Sequence, residues 1–510
     1  MPSPAVPGAL GHGADAPGAR VSGRAPTVVV IGGGIAGLAA AWEIVSRPGP
    51  PASVVVLEQS DRLGGKLQTT SMGDRPVDVG PDAFVARRPE ALGLCEELGL
   101  ADDLVAPGAQ GAAVWARGKL RPLPEGLALG IPTRLGPLAR SGILDPSGLV
   151  RAAADVLDLR PRRGRRLADD SDCSVGAIVR ARLGHQVADR LADPLIGGIH
   201  AGPIDGLSAA AVFPALLRAA SASGSLLRAL RSVAAPASGP GTSGTPGRDG
   251  AQGSGSPPVF LTVRGGMGRL VAVLAAALAA RGVELRTGVT TTSLARRSGG
   301  WELRTSAGTI DADAVVVALP APAAASALRC IAPEAAAALD QVTYASVSVV
   351  TAAFDEQCVG GPLAGTGFLV PAEQGLLMTG CTWLSAKWPQ LRRPGEVLVR
   401  VSAGRAGDER AATMDDDTLV RRLLAELRAV AGITGDPADV LVTRWPAAFP
   451  QYAVGHVRRM TQVQASLAQL GAPVALAGAV VQGVGIPACI GSGRQAASMV
   501  LERLARVPAA

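Results

Sequence analysis

At 510 residues the chain is long enough for two or three domains with substantial cores, and its 48% hydrophobic and 18% charged content excludes a disordered or fibrous protein. Its net charge of +7 comes from arginines scattered along the whole sequence. With only 3% aromatic residues, that argues against a nucleic-acid surface built on stacked bases. Six cysteines without paired spacing and four histidines without a ligand pattern imply a reducing cytoplasm and no metal site.

Residues 1–26, rich in Pro, Gly and Ala, lack the apolar run of a signal peptide and read as a mobile tail. The first predicted strand, Thr27 to Ile31, runs into Gly32-x-Gly34-x-x-Gly37 and then an Ala-rich helix opened by Ile35 and Ala36. Such glycines allow a tight turn, let a pyrophosphate approach the backbone, and let helix and strand pack closely. A second strand, Ser53 to Leu57, ends at Glu58, 21 positions after Gly37, where a carboxylate accepts hydrogen bonds from a ribose and disfavours a 2′-phosphate. Val-rich strands alternating with helices predict an α/β fold with a buried parallel sheet, and the context predicts dinucleotide binding.

After Glu58 the sequence runs "QSDRLGGKLQTT". Gly64 and Gly65 offer a second close approach of backbone, and Arg62 is a charge partner for phosphate. The set Glu58, Arg62, Gly64, Gly65, Lys66 and Thr69 resembles the extended fingerprint of FAD-binding oxidases of the amine-oxidase type, which implies that Gln59 too lies at the cofactor. No second fingerprint for NADPH follows.

Residues 127–230 read as mostly helical, with "VGAIVRARLGHQVADRLADPL" carrying apolar residues at helical spacing and "LRPRRGRR", Leu159 to Arg166, as a solvated basic loop. The stretch 233–258 is dominated by Gly, Ser, Pro and Ala and reads as a flexible insertion. "RGGMGRLVAVLAAAL" is a Gly turn entering a helix, and strands are expected at Ala314 to Ala318 and through much of Val342 to Val401, before a helix from Asp415 to Ala431. The longest apolar stretches, Leu270 to Ala280 and Gly471 to Ile490, are too short or too interrupted to span a bilayer. Near the end, "PVALAGAVVQGVGIPACIGSGRQAA" repeats the strand, Gly-rich turn and helix.

Four separated motifs, "VDVGPDAFVARRPEALGLCEELGL", "SVGAIVRARLGHQVADRLADPLIGGIHAG", "RWPAAFPQYAVGH" and "GVGIPACIGSGRQAA", together resemble the protoporphyrinogen and coproporphyrinogen III oxidases of haem synthesis. The resemblance spans about Thr27 to Leu504. It implies a Rossmann-type FAD domain of the amine-oxidase superfamily assembled from discontinuous pieces (27–82, 259–330 and 451–510), an antiparallel-sheet substrate domain (83–126 and 331–450) and a helical domain (127–232).

It further implies that Val289 sets backbone against the adenine, that Val481, Gly483, Val484, Gly485 and Ile486 lie beside the flavin ring and its diphosphate, and that Arg87 stands near the substrate. His200, where the family more often has an aromatic residue, reads as a structural histidine or else as a base, and His456 reads as structural. The implied reaction passes hydride equivalents from a porphyrinogen to flavin in two-electron steps, with oxygen as final acceptor and hydrogen peroxide released. The Ala-, Arg- and Gly-rich composition resembles actinobacterial members acting on coproporphyrinogen III, with protoporphyrinogen IX as the alternative. An amine oxidase or carotenoid desaturase would not explain "PQYAVGH", and a flavin or porphyrin carrier would not be reduced by substrate. The implied setting is the cytoplasm, with membrane-surface contact and hand-over to the iron-inserting enzyme left open.

Overall fold

The computed structural model describes residues 25–48, 52–157, 172–222, 224–231, 258–361 and 363–506. The tail up to residue 24, the basic run 159–166 and nearly all of the insertion 233–258 lie outside the described residues.

Thr27–Ile31 and Ser53–Leu57 pair in parallel, and the sheet extends outward through Glu284–Arg286 on one side and Ala314–Val317 and Val474–Leu476 on the other. Five parallel strands thus come from three distant stretches of chain. Period-two alternation divides their side chains between two cores. Val28, Val30, Val54, Val56 and Val316 pack against helices Ile35–Ser46, Met267–Ala280 and Ile486–Arg506. Val29, Ile31, Val55, Val315 and Val317 pack against helices Ala321–Leu328, Pro333–Asp340 and His456–Ala468. Nearly all of these valines are fully buried, each contributing about 1.5–3 kcal/mol of transfer free energy.

The second sheet has seven strands, in the order Asp439–Pro450, Tyr344–Asp355, Glu396–Ala403, Met378–Trp383, Gly367–Leu369, Ala113–Ala116 and Lys119–Pro122. It is antiparallel as expected except where Gly367–Leu369 meets Ala113–Ala116 in parallel. Its outer face is covered by helix Asp416–Ala431. That helix starts where Asp415 caps the Thr418 amide and stops at left-handed Gly432. A third core gathers the helices between Leu135 and Ala229.

Packing departs from the expected domain limits in two places. Phe84–Val85 and Leu104–Val105 pair with Phe260–Val263, and Ala91, Leu94 and Cys95 of helix Pro89–Glu97 join the parallel-sheet core, so residues 84–105 sit with the nucleotide-binding layer. Helix Pro333–Asp340 likewise packs into that layer through Ala335 and Leu339. The stretch "VGAIVRARLGHQVADRLADPL" is helical as expected, in more than one segment. Val175–Leu183 ends at Gly184 with φ 91°, and Ala188–Gly197 is wound as a wide π-helix around Pro194. Proline has no N–H and its ring crowds the carbonyl four residues back, and the wider winding relieves both.

Candidate active site and cofactor cradle

The turn after Thr27–Ile31 is fixed by backbone. Gly32, at φ 108°, donates to Leu57 O at 2.7 Å, and a Cβ there would meet Ala318 O at 2.5 Å. A Cβ on Gly37 would meet Gly32 O at 1.9 Å, whereas one on Gly34 would point into open space. The second glycine turn lies against the first, since the Gly64 amide donates to Gly33 O at 2.8 Å and a Cβ on Gly65 would come within 3.2 Å of Gly34 Cα. Helix Ile35–Ser46 starts at this junction without a side-chain cap or an acidic residue in its first turn, so its first amides face outward unpaired. Glu58 accepts from the Gly33 amide at 2.8 Å and from the Ser60 amide and hydroxyl. An open glycine cradle, free helix-terminal amides and a carboxylate at the end of the second strand fit the diphosphate and ribose of FAD.

A cavity of about 640 Å³ begins at this cradle and reaches the seven-stranded sheet. Of the residues singled out from sequence, Gly32, Gly34, Ile35, Ala36, Glu58, Gln59, Gly64, Gly65, Lys66, Val484, Gly485 and Ile486 line it together. Burial holds the Lys66 ammonium below its ordinary value, opposed by Cys489, and burial pushes the Cys489 thiol up to about 11.

Others stand elsewhere. Gly37 is sealed between strand and helix. The Arg62 guanidinium donates to Gly65 O at 2.8 Å, so it braces the second turn through backbone. The Val289 amide is engaged on Glu58 O at 2.8 Å, and Val289 packs into the core behind the sheet. Val481 packs into that same core, while Gly483 at φ 131° accepts the Cys489 thiol on its carbonyl. Arg87 is exposed and outside the cavity lining, and Arg88 is exposed beside Glu90.

His200 is buried outside the lining, its ring edge-on to Tyr452 at 5.5 Å and its Nδ1 without a partner; burial pushes it down to about 4, leaving it neutral at physiological pH. It is a packed residue rather than a base facing the cavity. His456, as expected, is structural: its Nε2 donates to Val480 O at 2.8 Å, and the Tyr452 hydroxyl donates to Ala479 O at 2.5 Å.

Sequence reasoning missed the joint between the two layers. Three consecutive carbonyls, Asp78, Val79 and Gly80, accept from side chains of the seven-stranded sheet. Arg400 donates to Asp78 O and Gly80 O, and the Trp445 indole donates to Val79 O at 2.9 Å. Asp82 accepts from Lys387 at 3.0 Å and the Trp388 indole at 2.7 Å. Burial opposes ionisation of Asp82, but Lys387 and Arg400 outweigh it and bring the carboxyl down to about 2. Asp78, whose Oδ1 accepts from Thr69 Oγ1 and the Met267 amide, is raised to about 6 by burial despite those bonds. The available signal was an arginine inside an otherwise apolar strand, "EVLVRVSAG". Arg400, Arg405, Asp193, Trp445 and Val349 complete the cavity wall.

The family described as flavin containing amine oxidoreductase matches residues 35–501. The chain belongs to that family. It is 37% identical to the coproporphyrinogen III oxidase of Propionibacterium freudenreichii, over 100% of this chain and 96% of that protein. To the coproporphyrinogen III oxidase of Bacillus subtilis it is 34% identical, over 94% and 98%. A crystal structure from Exiguobacterium, provisionally named a protoporphyrinogen oxidase, superposes with a TM-score of 0.80 at 30% identity, over 94% and 99% of the two chains. The FAD expected from the fingerprint is the cofactor of this flavin oxidoreductase fold.

Proposed function

We propose that this flavin oxidoreductase oxidises coproporphyrinogen III to coproporphyrin III in haem biosynthesis, removing six electrons in three two-electron steps. Oxygen is the acceptor, and each step releases one hydrogen peroxide. The reading rests on identity to coproporphyrinogen III oxidases along the whole chain.

Bound FAD supplies the two-electron acceptor. The chain supplies position. The two glycine turns and the first amides of Ile35–Ser46 would hold the diphosphate, Glu58 the ribose, and Gly478 to Ile486 would border the ring. Beyond them Val347, Val349, Trp445 and Phe449 form an apolar wall that orients a large flexible macrocycle and keeps water from the reacting carbon. The carboxylates at the cavity are already committed: Glu58 to amides, Asp82 to Lys387, and Asp193 to Arg405. None of these three carboxylates is left free as a general base, in keeping with chemistry lodged in the cofactor.

No helix among the described residues is long and apolar enough to cross a membrane. A cytoplasmic enzyme, in passing contact with a membrane surface and handing its product to the iron-inserting enzyme, completes the proposal.

Anaerobic mixing with coproporphyrinogen III and, separately, protoporphyrinogen IX tests it. Faster flavin bleaching by the former is expected, with porphyrin fluorescence and peroxide appearing in step. Bleaching by neither sinks the oxidase reading, and faster bleaching by protoporphyrinogen reverses the substrate.

A further inference from the structure

Three cations border the cavity: Lys66, Arg400 and Arg405. Lys66 stands beside Gly65 in the cofactor cradle. Arg400 is engaged on the carbonyls of Asp78 and Gly80 at the joint between layers. Arg405 alone has donors to offer on the far side. Its Nη2 reaches the Asp193 carboxylate at 3.1 and 3.0 Å, and no acceptor among the described residues meets its Nε or Nη1.

The residue is held in place before any ligand arrives. It follows Gly404, whose φ of 95° and missing Cβ let the turn pass Ser346 O, which a Cβ would meet at 2.6 Å. The next amide, Ala406, donates to Ala201 O at 2.7 Å, tying the turn to the helical layer. Asp193 is itself fixed by the Ile204 amide at 3.1 Å, within the π-helix that borders the cavity through Pro194 and Gly197. Both side chains are largely buried, at 17% and 9% exposure.

The geometry points to Arg405 as the residue that binds a carboxylate of the substrate, through the Nε–H and Nη1–H donors that Asp193 leaves free on either side of Nη2. This rests on the reading of the substrate as a porphyrinogen bearing propionates. A guanidinium carries five N–H donors on three nitrogens, so one carboxylate anchors it at Nη2 while a second docks on Nε or Nη1. Asp193 balances the charge while the site is empty and fixes the plane of the fork, so less side-chain freedom is lost when the ligand binds. A neutral substituent at this corner would cover the donor edge without accepting from it, which is the penalised case.

Coproporphyrin III titrated into the holoenzyme reports binding through quenching of porphyrin fluorescence, without turnover. The free acid and its tetramethyl ester are compared in the parent, in Arg405→Met and in Arg405→Lys. The parent is expected to prefer the acid by about tenfold to a hundredfold, the scale of one charge-assisted contact in a partly dry site. Arg405→Met loses that preference while binding the ester as the parent does. Arg405→Lys, which keeps the cation beside Asp193 but not the fork, retains part of it and carries the test if the methionine variant does not fold.

In steady state, KM for coproporphyrinogen III rises in Arg405→Met while kcat is little moved. Equal weakening for acid and ester marks the arginine as structural and overturns the assignment, as does an undiminished preference for the acid. A parent that binds neither porphyrin overturns the substrate reading itself, a result distinguishable from the failure of Arg405 alone.

Discussion

Two glycines three positions apart in the first turn have different physical tasks. Gly37 is a packing residue: an added Cβ would stand 1.9 Å from Gly32 O and 3.2 Å from Val30, and neither backbone nor buried core yields that space cheaply. Gly34 is a ligand residue, with extended backbone at φ −72° and nothing within 4 Å of its missing Cβ. Gly37→Ala is therefore expected to cost about 3 kcal/mol or more in urea unfolding, the range of overpacking against unyielding neighbours. Gly34→Ala is expected to leave the apoprotein midpoint within about 0.5 kcal/mol, the helix start accepting alanine easily, while weakening FAD binding about tenfold or more. The same loss of stability in both variants would refute the division. At this scale the sequence is a partial guide: spacing identifies which residues are small, but not which way a long side chain turns. Arg62, expected as a charge partner for phosphate, also braces Gly65 O, and Arg87, read either as a substrate contact or as a surface arginine, is exposed. Both outcomes depend on neighbours remote in sequence.

Elements were more legible, because periodicity is a property of the local chain. The strands Thr27–Ile31 and Ser53–Leu57 and the helix after Asp415 lie where pattern and caps put them. Between Val175 and His200 the helical pattern held but the breaks in it did not show: Gly184 and Pro194 interrupt one apolar stripe, and the chain bends there beside the cavity. The motif "PQYAVGH" shows how one element steers another. Tyr452 and His456 donate to the adjacent carbonyls of Ala479 and Val480, so helix His456–Ala468 and the turn before it hold the backbone that borders the flavin side of the cavity. Tyr452→Phe keeps the ring between His200 and His456 but leaves Ala479 O with the Gly483 amide at 3.3 Å as its remaining donor. The loss expected is about 0.5–1.5 kcal/mol of stability, the net worth of one hydrogen bond. A structural role alone would stop there. The positioning role also predicts a shifted flavin absorption band and a lower kcat at unchanged KM, and an unaltered spectrum would reduce Tyr452 to a packing residue.

On the scale of the whole molecule, the cavity exists because two layers built from interleaved chain segments are joined at one edge. That joint is three consecutive carbonyls, Asp78 to Gly80, each accepting from an arginine or tryptophan of the opposite layer, with Asp82 and Lys387 closing the end. Nothing local in the sequence announces it, since the partners are more than 300 positions apart and meet only once both sheets have formed. Such an arrangement couples cofactor retention to the second layer. Arg400→Met would remove the charge that lies 3.9 Å from Asp82 and take a donor from two carbonyls, leaving Trp445, Lys387 and the Arg75–Glu396 ion pair among the ties that remain. Breaking one side of a buried polar cluster costs about 3–5 kcal/mol, yet neither hydrophobic core loses a contact, so the damage should fall on the joint. The expected signature is a separation of midpoints on heating. Flavin fluorescence should rise, as the cofactor leaves, at a temperature clearly below that at which far-UV helicity is lost, whereas in the parent the two coincide. If both midpoints fall together in Arg400→Met, the joint is an inseparable part of one cooperative unit and the two layers do not open independently.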